Sequence, residues 1–130
     1  MPSPKPKTIL IVEDEPDTAE MFAQMLRLSG YRVNKTFGGI PGIKTLLHEK
    51  PDVLLLDIMM NDISGLEVLR FLRREPQFED MPVIVISAKG TTVDIHTGME
   101  AGATVYMTKP VAYLELKKIV EDTIAKKNSQ

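Results

Sequence analysis

PDVLLLDIMM, Pro51 to Met60, holds four consecutive apolar residues, Val53–Leu56, that run straight into a carboxylate, Asp57. An unbroken apolar run of this length suits a strand covered on both faces, whereas one wet face would leave an alternating pattern. The anion at its end sets a problem, because taking a carboxylate out of water is costly unless something compensates. The rest of the chain supplies the neighbours of this strand. Ile9–Val12 and Val83–Ile86 are continuous apolar runs of the same kind, and Thr104–Met107 gives one strand more. The more polar Arg32–Thr36 suits a sheet edge.

Amphipathic segments lie between these runs. In the first, Asp17–Leu28, the residues Ala19, Phe22, Met25 and Leu26 share a face, and Ser29-Gly30 closes it. The second, Pro41–His48, turns Ile43, Leu46 and Leu47 inward, with Pro41 suited to the first turn. The third starts at a capping Ser64 and buries Leu66, Leu69 and Leu72. The fourth, Thr92–Ala101, has a thin stripe of Ile95 and Met99 and a glycine, Gly98, in its interior. The last follows Pro110 and buries Leu116, Ile119 and Val120. Five strands alternating with five helices predict a doubly wound α/β domain around a mostly parallel sheet.

The chain has 130 residues, enough for about one domain that buries ~68% of its unfolded surface. It therefore needs no covalent staples, and it contains no cysteine. With 16 basic and 18 acidic residues its formal charge is −2, which does not point to a nucleic acid or a membrane. The apolar runs are strand-sized, too short to span a bilayer. The expected organisation is a flexible lead-in over residues 1–7, one domain over 8–127 and a polar tail over 128–130, in a soluble cytoplasmic protein.

Strands of a parallel sheet with helical crossovers all point one way, so the residues that follow them gather along a single edge. Here those residues are Glu13-Asp14, Asp57, Ser87 and Thr108-Lys109-Pro110. Singly, each has an ordinary role: acids favour the start of a helix, aspartate forms turns, serine satisfies a loop. Their conjunction on four strand ends is harder to reach by accident. Two like charges about 4 Å apart repel by about 4 kcal/mol at an effective dielectric of about 20. Three carboxylates at one place call for a cation, and oxygen donors without His or Cys favour Mg²⁺. Lysine is a compact charge suited to a phosphoryl group, and a carboxylate can serve as nucleophile.

On ILIVEDEP (9–16), PDVLLLDIMMNDISGLEVL (51–69), MPVIVISAKG (81–90) and AGATVYMTKP (101–110), the chain resembles the receiver domains of two-component response regulators. Asp57 lies 43 residues after Asp14 and 52 before Lys109, which adds to the match. The resemblance implies a flavodoxin-like fold with strand order 2-1-3-4-5. It implies that Asp57 is the phosphoacceptor for a histidine kinase or phosphotransfer protein. Asp14, Asp57 and the main-chain carbonyl of Met59 correspond to the Mg²⁺ ligands, with Glu13 acting directly or through water and Mn²⁺ able to substitute. Lys109 corresponds to the phosphoryl-pairing lysine, Ser87 to the switch hydroxyl and Tyr106 to the aromatic switch. The Lys109-Pro110 peptide is expected to be cis. Output is expected through the face of the fourth helix, fifth strand and fifth helix, toward a protein partner or an attached domain. Such a domain is a phosphoacceptor and not a turnover enzyme; a monomer or weak dimer is implied, with no nucleic acid or membrane bound by it directly.

The chain departs from the family at Asn61, where proline is usual, so the loop is expected to be less rigid. Met59 and Lys89 stand at positions that tune phosphate lifetime, and a methionine side chain cannot hold an attacking water strongly, so self-dephosphorylation is expected to be slow to moderate. GATVY lacks the paired acids usual before the tyrosine in the winged-helix DNA-binding subfamily. One alternative is a docking module that is never phosphorylated. Another is an aspartyl-phosphate phosphatase, though such enzymes carry an Asp-x-Asp pair after the first strand. No Gly-x-Gly-x-x-Gly loop follows that strand, which disfavours a nucleotide site. His48 and His96 read as surface residues, and Met21 and Met25 as filler.

Overall fold

The computed structural model describes residues 5–129, so residues 1–4 of the expected lead-in and Gln130 of the expected tail lie outside it. The chain runs β1 (Thr8–Val12), α1 (Pro16–Leu28), β2 (Arg32–Thr36), α2 (Gly39–His48), β3 (Val53–Leu56) and α3 (Gly65–Arg74). After a short 3₁₀ turn (Pro76–Phe78) come β4 (Val83–Ser87), α4 (Thr92–Ala101), β5 (Val105–Thr108) and α5 (Tyr113–Asn128). The five strands form one parallel sheet in the order β2-β1-β3-β4-β5. That is the flavodoxin-like order the resemblance implies, with β2 at an edge.

Alternation along the strands divides the core in two. Ile9, Ile11, Val53, Leu55, Ile84 and Ile86 face α1 and α5, where they meet Phe22, Leu26, Leu116 and Val120. Leu10, Val12, Leu54, Leu56, Val83 and Val85 face the other way, onto Leu46 of α2 and Val68, Leu69 and Leu72 of α3. Both faces of the central strands are covered, which is why they read as unbroken apolar runs.

Some side chains depart from the sequence reading. Leu47 and Met99 are 52% and 45% exposed, because Leu46 and Gly98 take the inward positions of their helices. Val68 is buried although Leu66 is only partly so. β5 starts one residue late, since Thr104 spends its N–H on the Val83 carbonyl and its hydroxyl on the Val83 N–H before the ladder begins. Phe78, fully buried beneath α3, had no assigned role; the Arg73 guanidinium fixes its turn by donating to the Phe78, Glu79 and Gly102 carbonyls at 2.8, 3.2 and 2.9 Å.

Helix α4 keeps its shape without a buried stripe. A capping box between Thr91 and Asp94 closes its start, and Gly102, at φ +115°, closes its end. Gly98 is there for space. A Cβ at this position would lie 2.6 Å from Cδ2 of Tyr106, so the ring of β5 rests directly on the helix backbone. Among the described residues no helix is long and apolar enough to cross a membrane.

Candidate functional site

The sheet continues past its strands into the predicted site, which fixes the backbone there. Glu13 N–H donates to Thr36 O at 3.1 Å, Asp57 N–H to Val12 O at 3.0 Å, and Lys109 N–H to Ser87 O at 2.9 Å. The residues that follow β1, β3 and β5 are thus each tied to a neighbouring strand, β2, β1 and β4 in turn, before any side chain is considered. The Lys109-Pro110 peptide that follows is cis.

Three of these side chains meet. The Lys109 ammonium donates to Oε1 of Glu13 at 2.5 Å and to Oδ2 of Asp57 at 2.9 Å. The remaining oxygens accept main-chain hydrogen bonds, Glu13 Oε2 from Glu15 N–H at 3.1 Å and Asp57 Oδ1 from Met59 N–H at 3.1 Å. Glu13, Asp57 and Ser87 are three of the four buried polar residues among those described, at 3%, 6% and 0% exposure. None of the described buried side-chain polar atoms lacks a hydrogen-bond partner.

The electrostatics follow from burial. Enclosure pushes the Glu13 carboxyl above its ordinary value, and the Lys109 hydrogen bond only partly offsets this. Partial burial works against the charge on Lys109, but hydrogen bonds to Glu13 and Asp57 outweigh it and hold the ammonium above its usual range. The two directions are compatible, since the Glu13 side chain is 4% exposed and that of Lys109 24%. Lys109 is the charge that balances the buried acids.

Asp14, half-buried, points its Oδ2 at Asn61 N–H, 2.9 Å away on the β3–α3 loop. Among the described residues no three acidic or histidine side chains already form a metal-binding group. Ser87 Oγ accepts Lys89 N–H at 3.2 Å, and Tyr106 OH donates to Lys89 O at 2.5 Å. Both predicted switch residues therefore hold the same residue of the β4–α4 loop, while neither bonds to Asp57. Burial pushes the Tyr106 phenol up. His48 is exposed, and His96, 74% exposed, lies 3.6 Å from Glu100.

Asp62 was not singled out by the sequence reading. Its carboxylate accepts Gly39 N–H at 3.0 Å and Ile40 N–H at 2.8 Å, which hold its pKa below the ordinary carboxylate range. The available signal was the Gly38-Gly39 pair at the start of α2, with no side chain able to cap it.

A space of about 10 Å³ lies between Glu13, Asp57 and the strand ends, and a cavity of about 360 Å³ lies at the opposite edge of the sheet, beside Pro82, Thr104 and Ile119.

Residues 9–121 match the response regulator receiver domain family. The chain belongs to that family. It is 38% identical over 112 residues to the transcriptional regulatory protein TcrX of Mycobacterium tuberculosis, covering 86% of this chain and 47% of that one. It is 39% identical over 110 residues to the phosphate regulon regulator PhoB of Pseudomonas aeruginosa, covering 85% and 48%. This receiver thus spans about half the length of the curated relatives it matches. A solved response regulator from Chloroflexus aurantiacus superposes with a TM-score of 0.89 at 32% identity, over 93% of this chain and 99% of that one.

Proposed function

We propose that Asp57 of this receiver accepts a phosphoryl group from the phosphohistidine of a histidine kinase or phosphotransfer protein. The observation that carries the reading is the Asp57 carboxylate itself, held at the end of the central strand by Met59 N–H and Lys109 Nζ. An Asp57 oxygen attacks phosphorus and forms the O–P bond; the P–N bond of the donor breaks, and the imidazole leaves with its electron pair and takes up a proton. Such transfers need in-line positioning and charge neutralisation more than acid–base chemistry. Lys109, kept charged by its carboxylate partners, turns from Asp57 to the phosphoryl oxygens as they arrive.

The donor set fits a hard divalent cation. Asp14, with one oxygen not engaged by Asn61, Asp57 and the Met59 carbonyl would hold Mg²⁺ or Mn²⁺, with Glu13 direct or through water. When bound, the ion supplies positive charge to the transferring phosphoryl oxygens. Ser87 exchanges its bond to Lys89 N–H for one to a phosphoryl oxygen, and Tyr106 responds through the same loop residue. The α4–β5–α5 face then presents a changed surface to a protein partner or an attached output domain. The domain proper is placed at residues 8–127, as a monomer or weak dimer that does not itself contact nucleic acid.

Incubation with Mg²⁺ and acetyl phosphate is the test. A hydroxylamine-labile phosphoryl group is expected on the wild type and none on Asp57→Asn. A wild type that stays unmodified would leave it a constitutive docking module.

A further inference from the structure

The two residues after Met60 tie the proposed cation site to the start of helix α2. Asn61 contributes its main chain alone: its N–H donates to Oδ2 of Asp14 at 2.9 Å. A proline at this position has no N–H and could not make that bond. Asp62 contributes its side chain, with Oδ1 accepting Gly39 N–H and Oδ2 accepting Ile40 N–H.

Helix α2 is built to receive that carboxylate. Its N-cap is Gly38, no side chain of its own caps it, and its first turn has no acid. The first N–H groups of a helix need acceptors and favour negative charge. Asp62 supplies both from a loop 22 residues away in sequence. The glycine pair makes the approach feasible. Gly38 has φ +140°, and a Cβ on it would come within 3.0 Å of the Asp62 carboxylate. A Cβ on Gly39 would meet Ile63 Cγ1 at 2.5 Å, so side chains at these positions would push the loop away.

We propose that Asn61 and Asp62 form a clamp that positions Asp14 for a divalent cation, Asp62 anchoring the β3–α3 loop to the N-terminus of α2 and Asn61 N–H orienting the Asp14 carboxylate. The inference rests on the cation reading given above. With Oδ2 engaged, Asp14 is left with its other oxygen for the ion, and its orientation is already set. Hydrogen-bond partners of ligating carboxylates act this way, and losing one typically costs about 10–100-fold in metal affinity. Both are positioning residues, acting through Asp14.

Mn²⁺ titrated into the purified protein, with free ion followed by its aqueous EPR signal, tests this without a phosphodonor. Asp62→Ala and Asn61→Pro are each expected to weaken Mn²⁺ binding about tenfold. Asn61→Ala, which keeps the N–H, is expected to bind like the wild type. A thermal melt of each variant separates the clamp from simple helix capping: a cap alone would lower the Tm of Asp62→Ala and leave the affinity of the folded protein unchanged. Wild-type affinity in both Asp62→Ala and Asn61→Pro would overturn the clamp. A wild type with no saturable Mn²⁺ binding would overturn the cation reading itself, and the clamp with it. Amide exchange gives a second measurement, since freeing the loop in Asp62→Ala should speed exchange at Asn61 N–H; an unchanged rate would count against the anchor.

Discussion

Lys109 provides the compensation that a buried Asp57 demands. The sequence reading assigned that work to a metal ion because three acids follow neighbouring strands, yet the ammonium already lies within 2.9 Å of two of them. The acids and the lysine could be anticipated from strand ends alone, since a parallel sheet delivers those positions to one edge whatever the loops do. Asp62 is harder to anticipate, because its partners are main-chain N–H groups at the start of α2, signalled only by the glycine pair that leaves that helix without a side-chain cap. Met59 shows the same division. Its N–H holds Asp57, which only the structure reveals, while its side chain is 52% exposed beside the acid. A thioether is a poor hydrogen-bond partner for water, whereas a carboxamide both donates and accepts. Met59→Asn is therefore expected to shorten the lifetime of the phosphorylated protein severalfold, followed as loss of label after the donor is removed. An unchanged half-life would mean that the side chain at this position does not govern attack by water.

Helix α4 illustrates what patterns at the level of elements conveyed and what they left out. Its limits, Thr92–Ala101, followed from the spacing of its residues, but Gly98 looked like a flaw in the helix and is a seat for the Tyr106 ring. The strands were read to within one residue: β2 and β3 keep the expected bounds, β1 gains Thr8, β4 gains Ser87, and β5 is shifted by one. Replacing Gly98 by alanine pits two effects against each other. Alanine gains about 0.5–1 kcal/mol in helix propensity. Overpacking against a ring 2.6 Å away costs about 1–3 kcal/mol unless the ring moves. Gly98→Ala should thus lose about 1 kcal/mol in urea unfolding, whereas the same change in a Tyr106→Ala background should gain stability. A gain in both backgrounds would show that the ring yields freely, and the element proposed to move would then lack a defined resting position.

At the scale of the whole molecule, the question is whether one hydroxyl can move the α4–β5–α5 face. A hydrogen bond to a charged group is worth about 1.5–3 kcal/mol, and about 1.4 kcal/mol is a factor of ten in an equilibrium constant. Ser87 alone can thus bias the face by about 10–150-fold. Reversing a population from about 1:99 to 99:1 takes about 5.5 kcal/mol. Unmodified protein must therefore already visit the alternative arrangement at the per cent level, or Lys109 must contribute as it leaves Glu13 and Asp57. Ser87 holds the Lys89 N–H and Tyr106 its carbonyl, so the proposed change would start at Lys89. The expected result is a graded response confined to the β5 edge of the sheet. Hydrogen exchange read by mass spectrometry after treatment with Mg²⁺ and acetyl phosphate should change in peptides spanning 87–108, while α1 on the opposite face stays as it was. The same treatment of Asp57→Asn should change neither region. A phosphorylated chain whose 87–108 peptides exchange as before, or one whose whole sheet responds uniformly, would rule out a local two-state face and point to a rigid surface recognised by its added charge.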